Sequence, residues 1–117
     1  WSPDLDNDMN NKFVSDYKAA HGAYPSFYAA QAYDTMMAID HAVRESGSTD
    51  AGAMRAVLAE GGIPTTRGTL AMNTNQFPIQ NIYLREVVLD ADGVATTKVI
   101  GTVFEDHSDA YASECKF

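Results

Sequence analysis

The chain contains one cysteine, eight lysine and arginine residues, and no apolar run long enough to cross a bilayer. The single cysteine, Cys115, cannot form an internal disulfide, so it is either a free thiol or the partner of a cysteine outside these residues. Eight basic residues against 16 acidic ones give a formal net charge of −8. This balance argues against nucleic acid as a partner, because phosphate contacts need clustered Lys and Arg.

Signatures of targeting and of cofactor binding are also lacking. Residues 1–6 have neither a basic start nor an apolar run, and the first residue is Trp1 rather than Met. We therefore expect a processed product, an engineered segment or part of a longer protein. The pair Gly61-Gly62 is not followed by the Lys-Ser/Thr of a phosphate-binding loop, and no cofactor motif is recognised.

The residues that are present predict one folded unit that begins with three helices. The 117 residues are 45% hydrophobic and 21% charged, which is ordinary for a globular chain. Apolar side chains recur at helical spacing over 10–20, 27–45 and 50–60. Each predicted helix follows residues suited to capping and ends near a glycine; the caps are Asp6-Asn7-Asp8, Ser26 and Asp50, and the stops are Gly22, Gly47 and Gly61.

The second predicted helix has the clearest apolar stripe. Its members are spaced by four, three, three and four residues, which predicts a face directed at the core. On the same helix, Asp34 and Asp40 are expected on the solvated face. The stripe consists of Ala29, Tyr33, Met36, Ile39 and Val43.

After Pro64 the pattern changes to the alternation of strands. A short strand is predicted at 69–72 and a hairpin at 82–89 and 94–104, joined by a turn that ends in Gly93. A polar tail follows at 105–117, with one helical turn. An α+β domain is one interpretation. However, both hairpin strands carry apolar residues on both faces, which favours a sheet that continues into strands outside this chain.

The order and spacing of several motifs resemble one family over nearly the whole chain. The family is the type I periplasmic binding proteins, the solute receptors of ABC importers in the branched-chain amino acid group, including members that bind aromatic acids. The matching segments are 1–7 (WSPDLDN), 11–14 (NKFV) with Tyr17, 24–34 (YPSFYAAQAYD), 66–70 (TRGTL), 77–87 (FPIQNIYLREV), 98–101 (KVIG), and 109–112 (DAYA) with Cys115.

The resemblance implies an α/β fold of two lobes joined by three crossing strands, with the solute held between the lobes. The chain would be its C-terminal part, with residues 1–66 as helices of one lobe, 67–104 as strands and hinge-crossing hairpin, and 105–117 as a tail. The implied partners are a small carboxylate (an amino acid or an aromatic acid), an ABC transporter permease and the missing N-terminal part. The implied location is periplasmic, outside the cytoplasmic membrane.

Four residues are candidates for ligand binding. The resemblance places solute-lining side chains at the start of the second helix, where free N–H groups attract a carboxylate. Phe27 and Tyr28 would wall the solute, and the Tyr28 hydroxyl or Ser26 would hydrogen-bond it; the alternative is ordinary core aromatics. Arg67 is a candidate for a bidentate contact with a carboxylate, or else for a structural ion pair.

The sequence leaves two alternative functions. A small hydrolase or metal-dependent enzyme would have to use the acidic cluster at 105–109, which contains His107. However, consecutive residues lack the spacing of metal ligands, and their side chains do not converge as those of a catalytic triad do. No catalytic residue and no metal ligand are therefore assigned. A ligand-sensing regulatory domain of the same fold remains an alternative. The apolar hairpin further predicts self-association of the isolated chain.

Overall fold

The structure is a computed structural model that describes residues 1–115. In that range the chain forms three α-helices, four strands and a C-terminal 3₁₀ turn. The helices are α1 (Asp8–His21), α2 (Phe27–Ser46) and α3 (Ala51–Glu60); the strands are β1 (Ile63–Thr65), β2 (Gly68–Met72), β3 (Pro78–Leu89) and β4 (Ala95–His107); the 3₁₀ turn is Ala112–Glu114. The helical turn predicted in the tail is confirmed, whereas positions 116–117 of that tail lie outside the described residues.

The predicted helices and their caps are confirmed. The Asn7 side chain accepts a hydrogen bond from the third residue of α1, and Ser26 and Asp50 do the same for α2 and α3. Gly22 and Gly47 end α1 and α2 in the left-handed conformation, with φ of 66° and 61°. Local capping chemistry therefore fixes where the helices begin and end.

The predicted orientation of α2 is wrong at several positions. Met36 and Ile39, expected in the core, are 63% and 40% exposed, whereas Asp34, expected in solvent, is 3% exposed. The face turned inward carries Ala30, Asp34 and Ala42, since small side chains let α2 lie close to β1 and α3. Asp34 tolerates burial because residues far along the chain hydrogen-bond both of its oxygens.

The four strands form one sheet in the order β1-β2-β3-β4, with every neighbouring pair antiparallel. Strand β1 was not predicted, since it has three residues with a proline in the middle. Strand β3 begins at Pro78 rather than at 82, and β4 continues to His107 rather than ending at 104. The turn between them is confirmed, with Gly93 at φ 76°. The predicted division into lobe, hinge and tail stays a prediction.

The hairpin of β3 and β4 projects beyond the helices. The radius of gyration is 16.0 Å, against about 13 Å expected for a compact domain of this length. Large apolar side chains on both strands are exposed, namely Leu84, Val87, Leu89, Ile100, Val103 and Phe104. The described residues therefore leave an uncovered apolar ribbon, as the two-sided pattern predicts.

Hydrogen bonds at two places tie this ribbon to the segments before and after α1. At the first, the Asp4 carboxylate accepts from the backbone N–H of Val99 at 2.9 Å. At the second, the Tyr24 hydroxyl donates to Asp90 at 3.0 Å, beside the hairpin turn. Since these contacts lie at two places on the ribbon, they fix its direction relative to α1 and α2. None of the helices in the described range is both long and apolar enough to span a bilayer.

Candidate ligand-binding site

A groove of about 220 Å³ lies between the beginning of α2, the loop that joins β1 to β2, and strand β3. Trp1, Phe27 and Gln31 line its helical side. The strand side carries two positive side chains together with amide and phenol groups, supplied by Arg67, Gln80, Asn81, Tyr83 and Arg85. We call this space the arginine groove. It combines aromatic walls with hydrogen-bond donors, and both occur in small-molecule sites.

The start of α2 gives this groove a positive helix end. Ser26 caps the helix by accepting from the Ala29 N–H at 3.2 Å, and the first turn contains no acidic residue that would neutralise the dipole. Phe27 is 45% exposed and faces the groove. Tyr28 is 81% exposed, packs edge-to-face on Phe27 at 5.8 Å between ring centroids, and does not line the groove.

Arg67 is held at the back of the groove by its neighbours. It lies in the two-residue loop between β1 and β2. Its Nε donates to the Asp34 carboxylate at 3.2 Å, and its Nη1 donates to the Gln80 side-chain oxygen at 2.6 Å. The side chain is only 14% exposed. The structural ion pair given as the alternative for Arg67 is therefore present, and a contact with a ligand remains a prediction.

Arg85 is a second cation in the groove that sequence reasoning missed. Its Nη1 donates to the backbone carbonyl of Trp1 at 2.6 Å, which brings β3 against the start of the chain. Both guanidiniums lie near the α-amino group of Trp1: its pKa is lowered first by burial and then by repulsion from Arg85 and Arg67. Strand alternation puts Tyr83, Arg85 and Val87 on one face of β3, but no local signal indicates that this face meets the groove, since Arg85 reaches it through the distant Trp1.

A second, wider groove lies on the other side of Trp1, Phe27 and Arg85. It has a volume of about 360 Å³ and is lined by Ser26, Tyr24 and the hairpin. Thr96 also lines it, and the buried hydroxyl of that residue has no hydrogen-bond partner among the described residues. The four predicted residues are therefore divided: Phe27 touches both grooves, Arg67 lies in the arginine groove, Ser26 lies in the wider one, and Tyr28 lies outside both.

The acidic cluster at 105–109 has structural contacts rather than a convergent arrangement. The His107 ring packs on Phe104 at 5.3 Å. Asp109 accepts from the Asn75 side chain at 2.7 Å and from the Tyr111 N–H at 2.9 Å, which fastens the tail to the loop before β3. Within residues 1–115, no group of three His, Cys, Asp or Glu side chains is placed to hold a metal ion.

Comparison with known proteins gives the family. Residues 1–94 match the family described as "Periplasmic binding protein", which is most of the chain. The chain therefore belongs to the periplasmic binding protein family, a family of binding proteins rather than enzymes. None of the curated proteins compared with the chain matches it.

Solved structures confirm the fold. The solute-binding protein of an ABC transporter from R. palustris, in complex with benzoate, is 29% identical with a TM-score of 0.82 over 100% of this chain and 31% of its own. The one from Rhodopseudomonas palustris BisB5, in complex with 3,4-dihydroxybenzoic acid, is 26% identical with a TM-score of 0.79 over 94% and 30%. A leucine-binding protein from Thermotoga maritima MSB8, at 19% identity and a TM-score of 0.70, covers 87% and 28%. The chain thus spans under a third of these proteins and is similar to a fragment of a type I periplasmic binding protein.

Proposed function

We propose that this chain forms one wall of the solute site in an extracytoplasmic receptor that captures a small carboxylate for an ABC importer. The observation that carries the proposal is the arginine groove, where Arg67 and Arg85 lie beside Phe27 at the positive end of α2. Two related structures hold benzoate and 3,4-dihydroxybenzoic acid, which are aromatic carboxylates. Both the local chemistry and these relatives favour an anionic ligand with an apolar body.

The groove suits the two ends of such a ligand. A carboxylate gains most from planar guanidinium groups, which donate two parallel hydrogen bonds, and from a helix N-terminus. Trp1 and Phe27 supply flat apolar surfaces against which an aromatic ring stacks. The acidic net charge does not oppose this arrangement, because binding depends on the donors within the site rather than on the total charge.

Capture would involve lobe closure rather than a chemical reaction. The groove is open on one side, and its 220 Å³ lies below the roughly 300 Å³ at which ligand pockets usually begin. A second lobe, formed by the rest of the protein, would complete the site. Because a bound solute then contacts both lobes, it favours the closed state over the open one. A transporter permease would recognise the closed form on the periplasmic side.

The first experiment is a calorimetric titration of the protein that carries these residues. Benzoate, its uncharged analogue benzamide, and leucine are compared. We expect benzoate to bind at least about tenfold more tightly than benzamide, a difference of about 1.4 kcal/mol, because only benzoate pairs with the guanidiniums. Absence of heat for benzoate and for leucine, or equal affinities for benzoate and benzamide, would count against the proposal.

Matched arginine variants test the groove itself. Arg85→Met removes a groove cation and should reduce benzoate affinity, whereas Arg55→Met removes an exposed arginine of α3 that does not line this groove and should not reduce it. Stimulation of ATP hydrolysis by the cognate transporter then separates an importer receptor from a regulatory sensor of the same fold, since a sensor would leave that activity unchanged.

A further inference from the structure

We infer that Asp34 is a positioning residue that holds Arg67 in the orientation needed to receive a carboxylate. This inference rests on the proposed function, because it concerns the same groove, but its geometry is independent of any ligand. Asp34 does not line the arginine groove. Asp34 is buried on α2 against the β1–β2 loop, and it acts on the groove only through Arg67.

The Asp34 carboxylate is buried and fully engaged. It is 3% exposed. One oxygen accepts from the backbone N–H of Thr66 at 2.7 Å, and the other accepts from the Thr66 hydroxyl at 3.1 Å and from Arg67 Nε at 3.2 Å. A single side chain of α2 therefore binds both residues of the β1–β2 loop. An unpaired charge at this depth would be strongly unfavourable, so Asp34 and Arg67 require each other.

The backbone of the loop is fixed from other directions as well. The Asn7 side chain, while it caps α1, also donates to the Thr66 carbonyl at 3.0 Å. Across the loop, the hydroxyl of Thr65 at the end of β1 donates to the carbonyl of Gly68 at the start of β2 at 2.7 Å and accepts from the Arg67 N–H at 3.1 Å. Since the backbone is held in this way, the direction of the guanidinium depends on the contacts of the side chain itself.

Those side-chain contacts use only some of the N–H donors of the guanidinium and leave the others for a ligand. Arginine has five N–H donors. Among the described residues, Nε is engaged by Asp34 and Nη1 by Gln80, so three N–H groups remain, two of them on Nη2. Arg67 is a long side chain with many rotamers, and its entropy is already lost in the folded state. The orientation imposed by Asp34 and Gln80 therefore preorganises the donors that face the groove.

The test compares two aspartates of the same helix. Asp34→Asn removes the negative charge and can turn an amide N–H toward Arg67 Nε, which opposes the hydrogen bond there. Asp40→Asn removes an exposed carboxylate that pairs with Arg44 on the surface. We expect Asp34→Asn to weaken benzoate binding about tenfold with little change for benzamide, since hydrogen bonds to charged groups are the ones lost. Asp40→Asn should change neither affinity.

A loss of affinity for benzoate and benzamide alike would mean that Asp34→Asn only destabilises the fold, and it would overturn the positioning role. Equal benzoate affinities in the wild-type and Asp34→Asn proteins would overturn it too. The ratio of the two affinities is the decisive quantity, because a purely structural role of Asp34 would not alter the preference for charge.

A second measurement needs no ligand and no variant. Proton exchange at Arg Nε is followed by NMR in the wild-type protein, with Arg44 as the internal comparison. Both Nε groups hydrogen-bond an aspartate, but the Arg44 side chain is 74% exposed and that of Arg67 is 14% exposed. We expect markedly slower exchange at Arg67. Exchange as fast as at Arg44 would show that Asp34 does not hold the guanidinium, even if Asp34→Asn fails to fold.

The two measurements separate this inference from the proposed function. If benzoate does not bind while Arg67 Nε is protected, then the carboxylate proposal fails and the fixed guanidinium stands. If benzoate binds while Arg67 Nε exchanges freely, then the groove binds carboxylates without positioning by Asp34.

Discussion

Replacement of Asn10 by Ala should release the first residues of the chain. Asn10 is fully buried on α1. Its side-chain oxygen accepts from the Trp1 indole at 2.8 Å, and its nitrogen donates to the carbonyls of Ser2, Pro3 and Leu5. One amide thus holds the segment that forms the Trp1 wall of the arginine groove.

The magnitude follows from the groups that would lose their partners. Among the described residues, the Trp1 indole N–H and the Pro3 carbonyl have no other hydrogen bond, whereas the Ser2 and Leu5 carbonyls keep backbone donors. An unsatisfied buried group costs about 1–3 kcal/mol, and Trp1 is only half-buried. We therefore expect Asn10→Ala to lower the free energy of unfolding by about 2–4 kcal/mol. That is a large part of the total of about 5–15 kcal/mol that stabilises a domain.

The assay is urea unfolding followed by circular dichroism, with Trp1 fluorescence as a local probe in the 117-residue chain, where it is the single tryptophan. Asn11→Ala is the matched control, because that neighbouring side chain is exposed and makes one long bond of 3.4 Å. We expect Asn10→Ala to lower the midpoint and shift the emission to longer wavelength, and Asn11→Ala to do neither. Equal midpoints for the two variants would refute the argument.

Three further predictions concern the hairpin and the loop before β1. A hydrogen bond from the Val94 N–H is the main cause that lowers the pKa of Asp90 from its ordinary value of 3.8. The ionised carboxylate therefore stabilises the fold fully above that value, and this stabilisation is lost as the pH falls below it. Asp90→Asn should destabilise the protein at pH 6 and much less at pH 2 in urea titrations. Gly61 has φ 76°, and an added Cβ would lie 3.3 Å from the β2 backbone. Gly61→Ala should therefore lower the free energy of unfolding by about 1 kcal/mol or more, measured by thermal unfolding. Gly101→Ala, at a position with open space for a Cβ, should lower it less. The isolated chain should self-associate in sedimentation velocity through its apolar ribbon, and Val87→Lys, at a 75% exposed position, should reduce this; a wild-type monomer at every concentration would contradict the expectation.

The sequence predicted features that depend on neighbouring residues. The capped helices follow from residues within a few positions, such as Ser26 before α2 and Asp50 before α3. The hairpin turn follows from the run that ends in Gly93. These signals are local because a cap or a turn is satisfied by backbone groups two or three residues away.

The features that were missed depend on contacts between distant parts of the chain. Asp34 is buried only because Thr66 and Arg67, 32 and 33 positions later, return to α2. Arg85 joins the groove through a bond to Trp1, 84 positions earlier. Helical spacing alone therefore placed Met36 in the core, since nothing local indicates which face of α2 the β1–β2 loop will contact.

A crystal structure of the protein that carries this chain, grown with benzoate, tests the central claim most directly. We predict benzoate between two closed lobes, with its carboxylate within hydrogen-bond distance of the Arg67 or Arg85 guanidinium and its ring against Trp1 or Phe27. Benzoate bound away from these residues, or lobes that close without any contact to the arginine groove, would contradict the account.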